Sequence, residues 1–314
     1  MPNQQACINA VVTWTNREDA MTYKLKLRSR DCLRDNEVEA LRGRLLNRAH
    51  YYHWLDEDCI VIDKTVLDET QRVVARLVRG GLSKKLVTAQ AESLRAVHGD
   101  LSNRGGIIYK DSMMYRESTS DGKLSPTQTV PRSMLELLRK RNHRLGLTGP
   151  YSDFLGFFDQ TPRFRFCRET AWSFKRPDIF EMSKSLVEAV EYVNRHEAHD
   201  PWRRQRDFMR RVSQDYKYPD SIYSTLTINL NVRSCGHTDD GDFRGGMGNL
   251  IVLEWPRDDS GVLVMPRERV ALVARPGDVL LMNVHHLHGN LPLTVGGTRL
   301  TAVLYAREGL DDCG

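Results

Sequence analysis

The chain has 314 residues, 40% of them hydrophobic and 28% charged, a composition typical of a globular protein with ample core and not of a disordered one. The formal net charge of +5 is compatible with an anionic partner but too small to indicate one. Six scattered cysteines without a CxxC motif, no signal-peptide pattern and no apolar run of about 18 residues exclude a zinc cluster, a disulfide scaffold and a membrane span, and predict a cytoplasmic protein without membrane contact.

The first half of the chain is rich in charge and predicts helices. Residues 17–50 carry leucines at spacings that a helix allows, and residues 66–98 predict two helices separated at a pair of glycines. We therefore expect residues 1–150 to form a mainly helical N-terminal flank. Within it, residues 102–131 are rich in Gly, Ser, Thr and Pro, which indicates either a lid over a substrate or a mobile surface loop.

Two further helices are predicted in the middle of the chain. One begins at Pro177 and has apolar residues at helical spacing from Ile179 to Val193. The other spans 201–214 and carries five arginines, which either contact phosphates or form a solvated helix side. These arginines are Arg203, Arg204, Arg206, Arg210 and Arg211.

From residue 220 onward the pattern changes to an alternation of apolar and polar residues. In residues 222–232 apolar side chains occupy alternate positions, so the polar side chains between them point to the opposite face of a strand. Further short strand-like runs follow, separated by Gly, Pro and Asp. Such strands predict a jelly roll. We expect an α+β protein in which helices flank a jelly-roll (cupin-like) core at 151–314, packed as one compact unit.

Two histidines and one aspartate lie on the short connections of this core. His237 and Asp239 are two residues apart, so on an extended strand their side chains leave the same face. His288 follows the strand-like run DVLLMNV and precedes a glycine, and among the three histidines of HHLHG we assign it as the third ligand. Two imidazoles and one carboxylate suit a non-haem Fe(II) ion that keeps positions open for a 2-oxo acid and O₂.

A late strand supplies residues suited to 2-oxoglutarate. Arg299 precedes the apolar run LTAVLYA, where a guanidinium needs a buried anion, and it matches the distal carboxylate of 2-oxoglutarate in a two-pronged geometry. Thr301 shares its strand face and offers one hydroxyl. Substrate contacts are expected from the polar strand face, the adjoining loops and one further histidine, which is alternatively a strand-end residue bonded to backbone. These candidates are Thr227, Asn229, Asn231, Arg233, His285, Asn103 and Arg104.

The motifs of the second half resemble those of a known family. The run TxNxNxR before HxD, the segments GDFRGGMGNLIVLE and RPGDVLLMNVHHLHGN, and the late arginine strand are similar to the oxygenase domain of the ten-eleven translocation and J-binding protein (TET/JBP-like) family, bacterial or phage type. The resemblance covers about residues 150–308. It implies a double-stranded β-helix that binds Fe(II) and 2-oxoglutarate through His237, Asp239, His288 and Arg299.

The expected activity is that of an Fe(II)/2-oxoglutarate-dependent dioxygenase that hydroxylates a substrate C–H bond. The best-known members of the family that it resembles oxidise the 5-methyl group of a pyrimidine in DNA, and its bacterial relatives include small-molecule enzymes. The substrate is therefore either a pyrimidine 5-methyl group, in methylated DNA or a nucleoside, or a small polar metabolite in an amino-acid or nucleoside-antibiotic pathway. A non-catalytic cupin-like binding protein is the alternative from another class. No protein partner is implied.

Overall fold

The computed structural model describes most of the chain. The expected lid at 102–131, with Asn103 and Arg104, lies outside the described residues. The described residues are 22–64, 73–97, 140, 151–161, 164–256, 260–293 and 297–313.

Two β-sheets form the centre of the described structure. Nearly all neighbouring strands run antiparallel. The two parallel pairs are Tyr23–Leu27 with Cys59–Asp63 and His53–Leu55 with Val270–Leu272. The larger sheet contains, in order across it, β1 (Tyr23–Leu27), β3 (Cys59–Asp63), β4 (Val73–Val78), β11 (Val279–Met282), β8 (Gly248–Glu254), β13 (Leu300–Tyr305), β7 (Thr225–Leu230), β5 (Tyr151–Phe158) and β6 (Arg168–Glu169). The smaller sheet contains β12 (Gly289–Asn290), β9 (Leu263–Met265), β10 (Val270–Leu272) and β2 (His53–Leu55).

Helices cover the outer face of the larger sheet. The longest helix buries Ile179, Leu186 and Val190 in a core that also contains Leu226 and Ile228 of β7. The opposite face of the sheet packs on the smaller sheet through a second apolar cluster. The helices are α1 (Asp35–Glu39), α2 (Lys84–Leu94), α3 (Ala171–Lys175), α4 (Pro177–Glu197) and α5 (His199–Met209).

The two packed sheets with outer helices are the predicted α+β architecture, a double-stranded β-helix with flanking helices, and that prediction is confirmed. The alternation predicted for β7 is also present. Leu226, Ile228 and Leu230 face the helices, and Thr227 and Asn229 face the space between the sheets. Since β7 lies beside β13, with Asn229 opposite Thr301, the polar faces of both strands look into the same interior.

The N-terminal part of the chain differs from its prediction. Instead of a long helix, the described part of 17–50 contains β1, the short α1 and turns, and the first helix predicted within 66–98 is replaced by β4. The sequence of β4 is VVARLV, a short apolar run that periodicity alone cannot assign, and pairing on both sides with β3 and β11 favours the strand. The described N-terminal residues are therefore not mainly helical: they supply three strands to the larger sheet and one to the smaller. The division of the chain at residue 150 stays a prediction.

One disulfide was not expected from the sequence. Cys167 and Cys313 are joined across a sequence separation of 146 residues, with their Cα atoms 6.0 Å apart, the usual separation for such a bond. Scattered spacing carries no signal for a pair so distant in sequence. Cys32, Cys59 and Cys235 are buried and do not take part in this disulfide. None of the helices in the described part of the chain is long and apolar enough to cross a membrane.

Candidate active site

His237, Asp239 and His288 meet between the two sheets. His237 and His288 form an isolated antiparallel bridge, in which the backbone N–H of each donates to the carbonyl of the other at 2.9 Å. The Oδ1 of Asp239 lies 3.7 Å from Nε2 of His237, and its Oδ2 lies 3.6 Å from Nε2 of His288. All three ligand atoms lie within 4.8 Å of one another. The spacing suits a single metal ion, so the donor set fits Fe(II).

Backbone carbonyls fix the tautomer and orientation of both imidazoles. Nδ1 of His237 lies 2.8 Å from the carbonyl of Cys235, and Nδ1 of His288 lies 2.9 Å from the carbonyl of His286. Because a carbonyl can only accept, each Nδ1 carries the proton, and each Nε2 presents its lone pair toward Asp239. Metal-binding histidines commonly donate their other ring N–H to a carbonyl oxygen in this way.

The sequence around the two histidines allows the close approach of their backbones. A Cβ added to Gly289 would lie 2.8 Å from the carbonyl oxygen of Cys235, and one added to Gly236 would lie 2.7 Å from the carbonyl oxygen of Leu41. A side chain at Gly289 would therefore force the two turns apart, and one at Gly236 would displace the segment that contains Leu41. The glycine that follows His288 in the sequence has a steric reason for its position.

Arg299 lies in the same cavity as the three candidate ligands. Its side chain is almost fully buried, its Nε has no hydrogen-bond partner, and no carboxylate of the described residues forms an ion pair with it. Burial lowers the pKa of Arg299 to about 10, so the guanidinium is still charged at neutral pH. A buried cation without a counter-ion is costly unless an anion joins it. The site therefore fits the carboxylate of 2-oxoglutarate.

The cavity joins these groups to a polar and an apolar wall. Thr301, Thr227 and Asn229 line it as the sequence predicted. The hydroxyl of Thr227 lies 3.1 Å from that of Tyr305, and Oδ1 of Asn229 accepts a hydrogen bond from Ser152 at 2.7 Å. The other lining residues are Val232, Ser234, Asp242, Leu250, Leu263, Met282, Asn290, Val303 and Tyr305.

Three of the candidate substrate residues do not line this cavity. Asn231 has a φ of 52° and its Oδ1 accepts the backbone N–H of Arg299 at 2.7 Å, so it holds the start of β13. Arg233 donates to the carbonyl of Leu46 at 3.2 Å. His285 lines a separate recess beside Thr238. Its two ring nitrogens are buried without a partner, and burial followed by the charge of nearby Arg244 lowers its pKa. Asn103 and Arg104 lie outside the described residues.

Sequence reasoning missed several lining residues, although one signal was available. Arg299, Thr301, Val303 and Tyr305 alternate along β13 and all line the cavity. Extending the strand alternation beyond Thr301 would have found Tyr305. No comparable pattern points to Ser234 and Asn290, which come together through a hydrogen bond of 2.7 Å between a loop and β12.

The five arginines at 203–211, in α5 and directly after it, mostly make contacts within the protein. Arg204 donates to the carbonyl of Gly245, Arg206 lies over the ring of Trp202, and Arg210 and Arg211 pair with Asp207 and Asp311. Arg203 is exposed. Most of these arginine side chains therefore already have a partner within the protein.

Comparison with curated proteins finds relatives of one kind. The chain is 27% identical over 221 residues to "Thymine dioxygenase JBP1" of Leishmania infantum, an alignment that covers 66% of this chain and 25% of the relative. It is 27% identical over 267 residues to "Bifunctional helicase and thymine dioxygenase JBP2" of Trypanosoma brucei brucei, covering 83% of this chain and 21% of that protein. The chain is similar to these thymine dioxygenases, which are proteins of the TET/JBP-like family. The resemblance seen in the sequence motifs is confirmed.

The alignments cover only part of each curated relative, and the similarity to solved structures is low. The chain spans about a quarter of the length of these curated relatives. No protein-family model matches it. Among solved structures, "NgTET1 in complex with 5mC DNA" aligns with 73% of this chain at 15% identity and a TM-score of 0.44, a likeness too low to carry an argument about function.

Proposed function

We propose that this TET/JBP-like protein is an Fe(II)/2-oxoglutarate-dependent dioxygenase that hydroxylates the 5-methyl group of a pyrimidine. One observation carries the proposal: a single cavity contains both a two-histidine, one-carboxylate group and a buried arginine that has no counter-ion among the described residues. A metal site alone would serve many reactions, whereas a metal site that shares its cavity with an unbalanced guanidinium suits a 2-oxo dicarboxylate. The curated relatives, which are thymine dioxygenases, support the pyrimidine methyl group as the target.

The residues of the chain have distinct roles in this proposal. Bound Fe(II), with 2-oxoglutarate and O₂, would supply the oxidising power for C–H hydroxylation. His237, Asp239 and His288 would hold the metal through lone pairs that backbone hydrogen bonds already orient. Arg299 would neutralise the distal carboxylate of 2-oxoglutarate, with Thr301 beside it. Apolar side chains that line the cavity would keep water from the reacting carbon. These are Leu250, Leu263, Met282 and Val303.

Whether the pyrimidine belongs to methylated DNA or to a nucleoside divides the proposal in two. One of the relatives favours DNA, because its name joins the thymine dioxygenase to a helicase, an enzyme that acts on nucleic acid. One structural observation favours a small substrate: four of the five arginines at 203–211 are engaged within the protein, so this part of the chain does not offer a ready phosphate-binding face. A free nucleoside or another small polar metabolite is therefore the second candidate.

Succinate formation tests the reaction and its substrate together. Anaerobically purified protein would be loaded with Fe(II) and 2-oxoglutarate and exposed to O₂ with thymine-containing DNA, 5-methylcytosine-containing DNA, thymidine or a pool of polar amino acids. Turnover that DNA stimulates and that falls steeply with salt supports the DNA substrate, because phosphate contacts are lost as salt rises. Stimulation by thymidine alone supports the nucleoside. No succinate under any condition, together with no Fe(II) bound, would overturn the proposal and leave the non-catalytic binding protein.

A further inference from the structure

A short N-terminal segment, Leu41–Leu46, runs across the turn that carries two of the candidate ligands; we name it the latch segment. The backbone N–H of Gly43 donates to the carbonyl of Gly236 at 2.7 Å, and the N–H of Gly236 donates to the carbonyl of Arg44 at 2.8 Å. Gly236 directly precedes His237. The turn that carries His237 is therefore paired with a segment much earlier in the chain. Arg42 and Thr238, which are in contact, are 196 residues apart in the sequence.

The latch segment also touches the turn that carries the third candidate ligand. Leu46 is fully buried, and its Cδ1 would lie 3.0 Å from a Cβ added to Gly289, the residue after His288. The carbonyl of Leu46 accepts a hydrogen bond from Arg233 at 3.2 Å. The segment thus lies against both turns, and it fills the space that the absent side chain of Gly289 leaves.

One side chain of the latch segment reaches the residue between two candidate ligands. Arg42 donates from Nη1 to the hydroxyl of Thr238 at 2.8 Å, and its Nε donates to Glu39 at 2.9 Å. The hydroxyl of Thr238 in turn donates to Asp240 at 2.9 Å. Thr238 is therefore held from both sides, within a turn that lies outside the regular strands.

We propose that Arg42 is a positioning residue for the metal centre. The direction in which Asp239 points from His237 depends on the backbone torsions at Thr238, and the bond from Arg42 restrains them. Without this bond the carboxylate of Asp239, which is less buried than either histidine, loses its fixed place between the two Nε2 atoms. Outer-shell contacts of this kind set metal affinity. The inference rests on the proposed metal site.

Metal affinity of the apo protein, measured by Co(II) or Fe(II) titration with a spectroscopic readout, tests the inference without turnover. Arg42→Ala is expected to weaken metal binding about tenfold, the lower end for loss of an outer-shell partner. Thr238→Val removes the acceptor and keeps a β-branched side chain, so it should give a similar loss. Arg34→Ala is the matched control, because Arg34 makes the same type of i,i+3 pair with Glu37 and is exposed.

A double-variant cycle separates positioning from general destabilisation. If Arg42 acts through Thr238, Arg42→Ala in a Thr238→Val background should cost no further affinity, whereas independent effects would add. Arg42→Lys keeps one donor and should recover part of the affinity. Should Arg42→Ala fail to fold, Arg42→Lys and Thr238→Val still carry the test. Unchanged affinity in these variants, or full additivity in the double variant, would overturn the inference. A parent protein that binds no metal would instead overturn the proposed function.

Discussion

The two ends of the active-site cavity are prepared in opposite ways. At the metal end, backbone carbonyls satisfy the Nδ1 of both histidines and a pair of backbone hydrogen bonds joins the two turns. At the other end, Arg299 is buried with an Nε that has no partner. The first end is arranged by the fold itself. The second end has no counter-ion among the described residues, so a bound anion would balance its charge.

This difference has an energetic consequence for the folded protein. Burial lowers the pKa of Arg299 to about 10, well below that of an exposed arginine, which corresponds to a destabilisation on the order of 3 kcal/mol. Because folding disfavours the charged form, the penalty is present in full below pH 10 and is relieved only as the pH rises above 10. At neutral pH the protein therefore carries the whole cost of holding an anion site open. Binding of an anion at Arg299 would offset that cost.

Loss of a metal ligand should have the largest effect. Asp239→Ala leaves two imidazoles, and we expect metal affinity to fall more than about 100-fold, beyond the range for outer-shell partners, with succinate formation reduced to background. Asp239 is partly exposed, so the thermal stability of the apo protein should change little. Metal titration and a melting curve check both parts, with the exposed Asp207→Ala as control. Metal affinity close to that of the parent would mean that Asp239 is not a ligand.

Substitution at the other end should separate stability from binding. Arg299→Met keeps most of the side-chain volume and removes the unbalanced charge. We expect the apo protein to become more stable, by an amount that is constant from pH 7 to 9, while affinity for 2-oxoglutarate falls about 100-fold, as for a truncated buried charge pair. Melting curves with and without 2-oxoglutarate in the presence of a redox-inert divalent metal measure both. A variant that is less stable than the parent and still binds 2-oxoglutarate would contradict this account of Arg299.

The sequence predicted the centre of the structure better than its flank. Alternation from residue 222 onward placed Thr227 and Asn229 on the inner face, because β7 and β13 each have one apolar face on the helices and one polar face on the cavity. Period-two patterns of this kind are read directly from the chain. The grouping of His237, Asp239 and His288 followed from their positions at strand ends, and their role as ligands stays a prediction.

The contacts that sequence reasoning could not supply are those between distant segments. The sequence predicts a helix where β4 lies, because VVARLV is too short for periodicity to distinguish a strand from a helix. Pairing with β3 and β11 decides that it is a strand. Likewise, nothing in the sequence near Arg42 indicates that it reaches Thr238. Asn231 looked like a cavity residue by alternation, but its positive φ ends the strand and turns its side chain to the backbone of Arg299.

A steric change at the metal end should have an intermediate effect. Gly289→Ala would place a methyl group 2.8 Å from the carbonyl of Cys235 and would separate the two turns. We expect a loss of about 1–3 kcal/mol in the free energy of unfolding, as for overpacking, together with weaker metal binding. Denaturant unfolding and metal titration measure the two effects. Gly81→Ala serves as the control. Its added methyl group would lie 3.2 Å from the side chain of Val279, at a position that does not line the cavity. Equal metal affinity in both variants would show that the spacing of the two turns does not control the site.

The smallest effect tests whether the two ends are chemically distinct within one cavity. Thr301→Val and Thr227→Val each replace a hydroxyl by a methyl group on neighbouring strands, at positions that line the same space. Thr301 lies two residues from Arg299 on the same strand face, so loss of one hydrogen bond to a carboxylate should weaken 2-oxoglutarate binding about tenfold. The hydroxyl of Thr227 pairs with that of Tyr305. We expect Thr227→Val to leave the affinity for 2-oxoglutarate unchanged and to raise the KM for the substrate that is hydroxylated. If Thr227→Val weakened 2-oxoglutarate binding as much as Thr301→Val, the anion would not be confined to the end of the cavity at Arg299, and the contrast between the two ends would not hold.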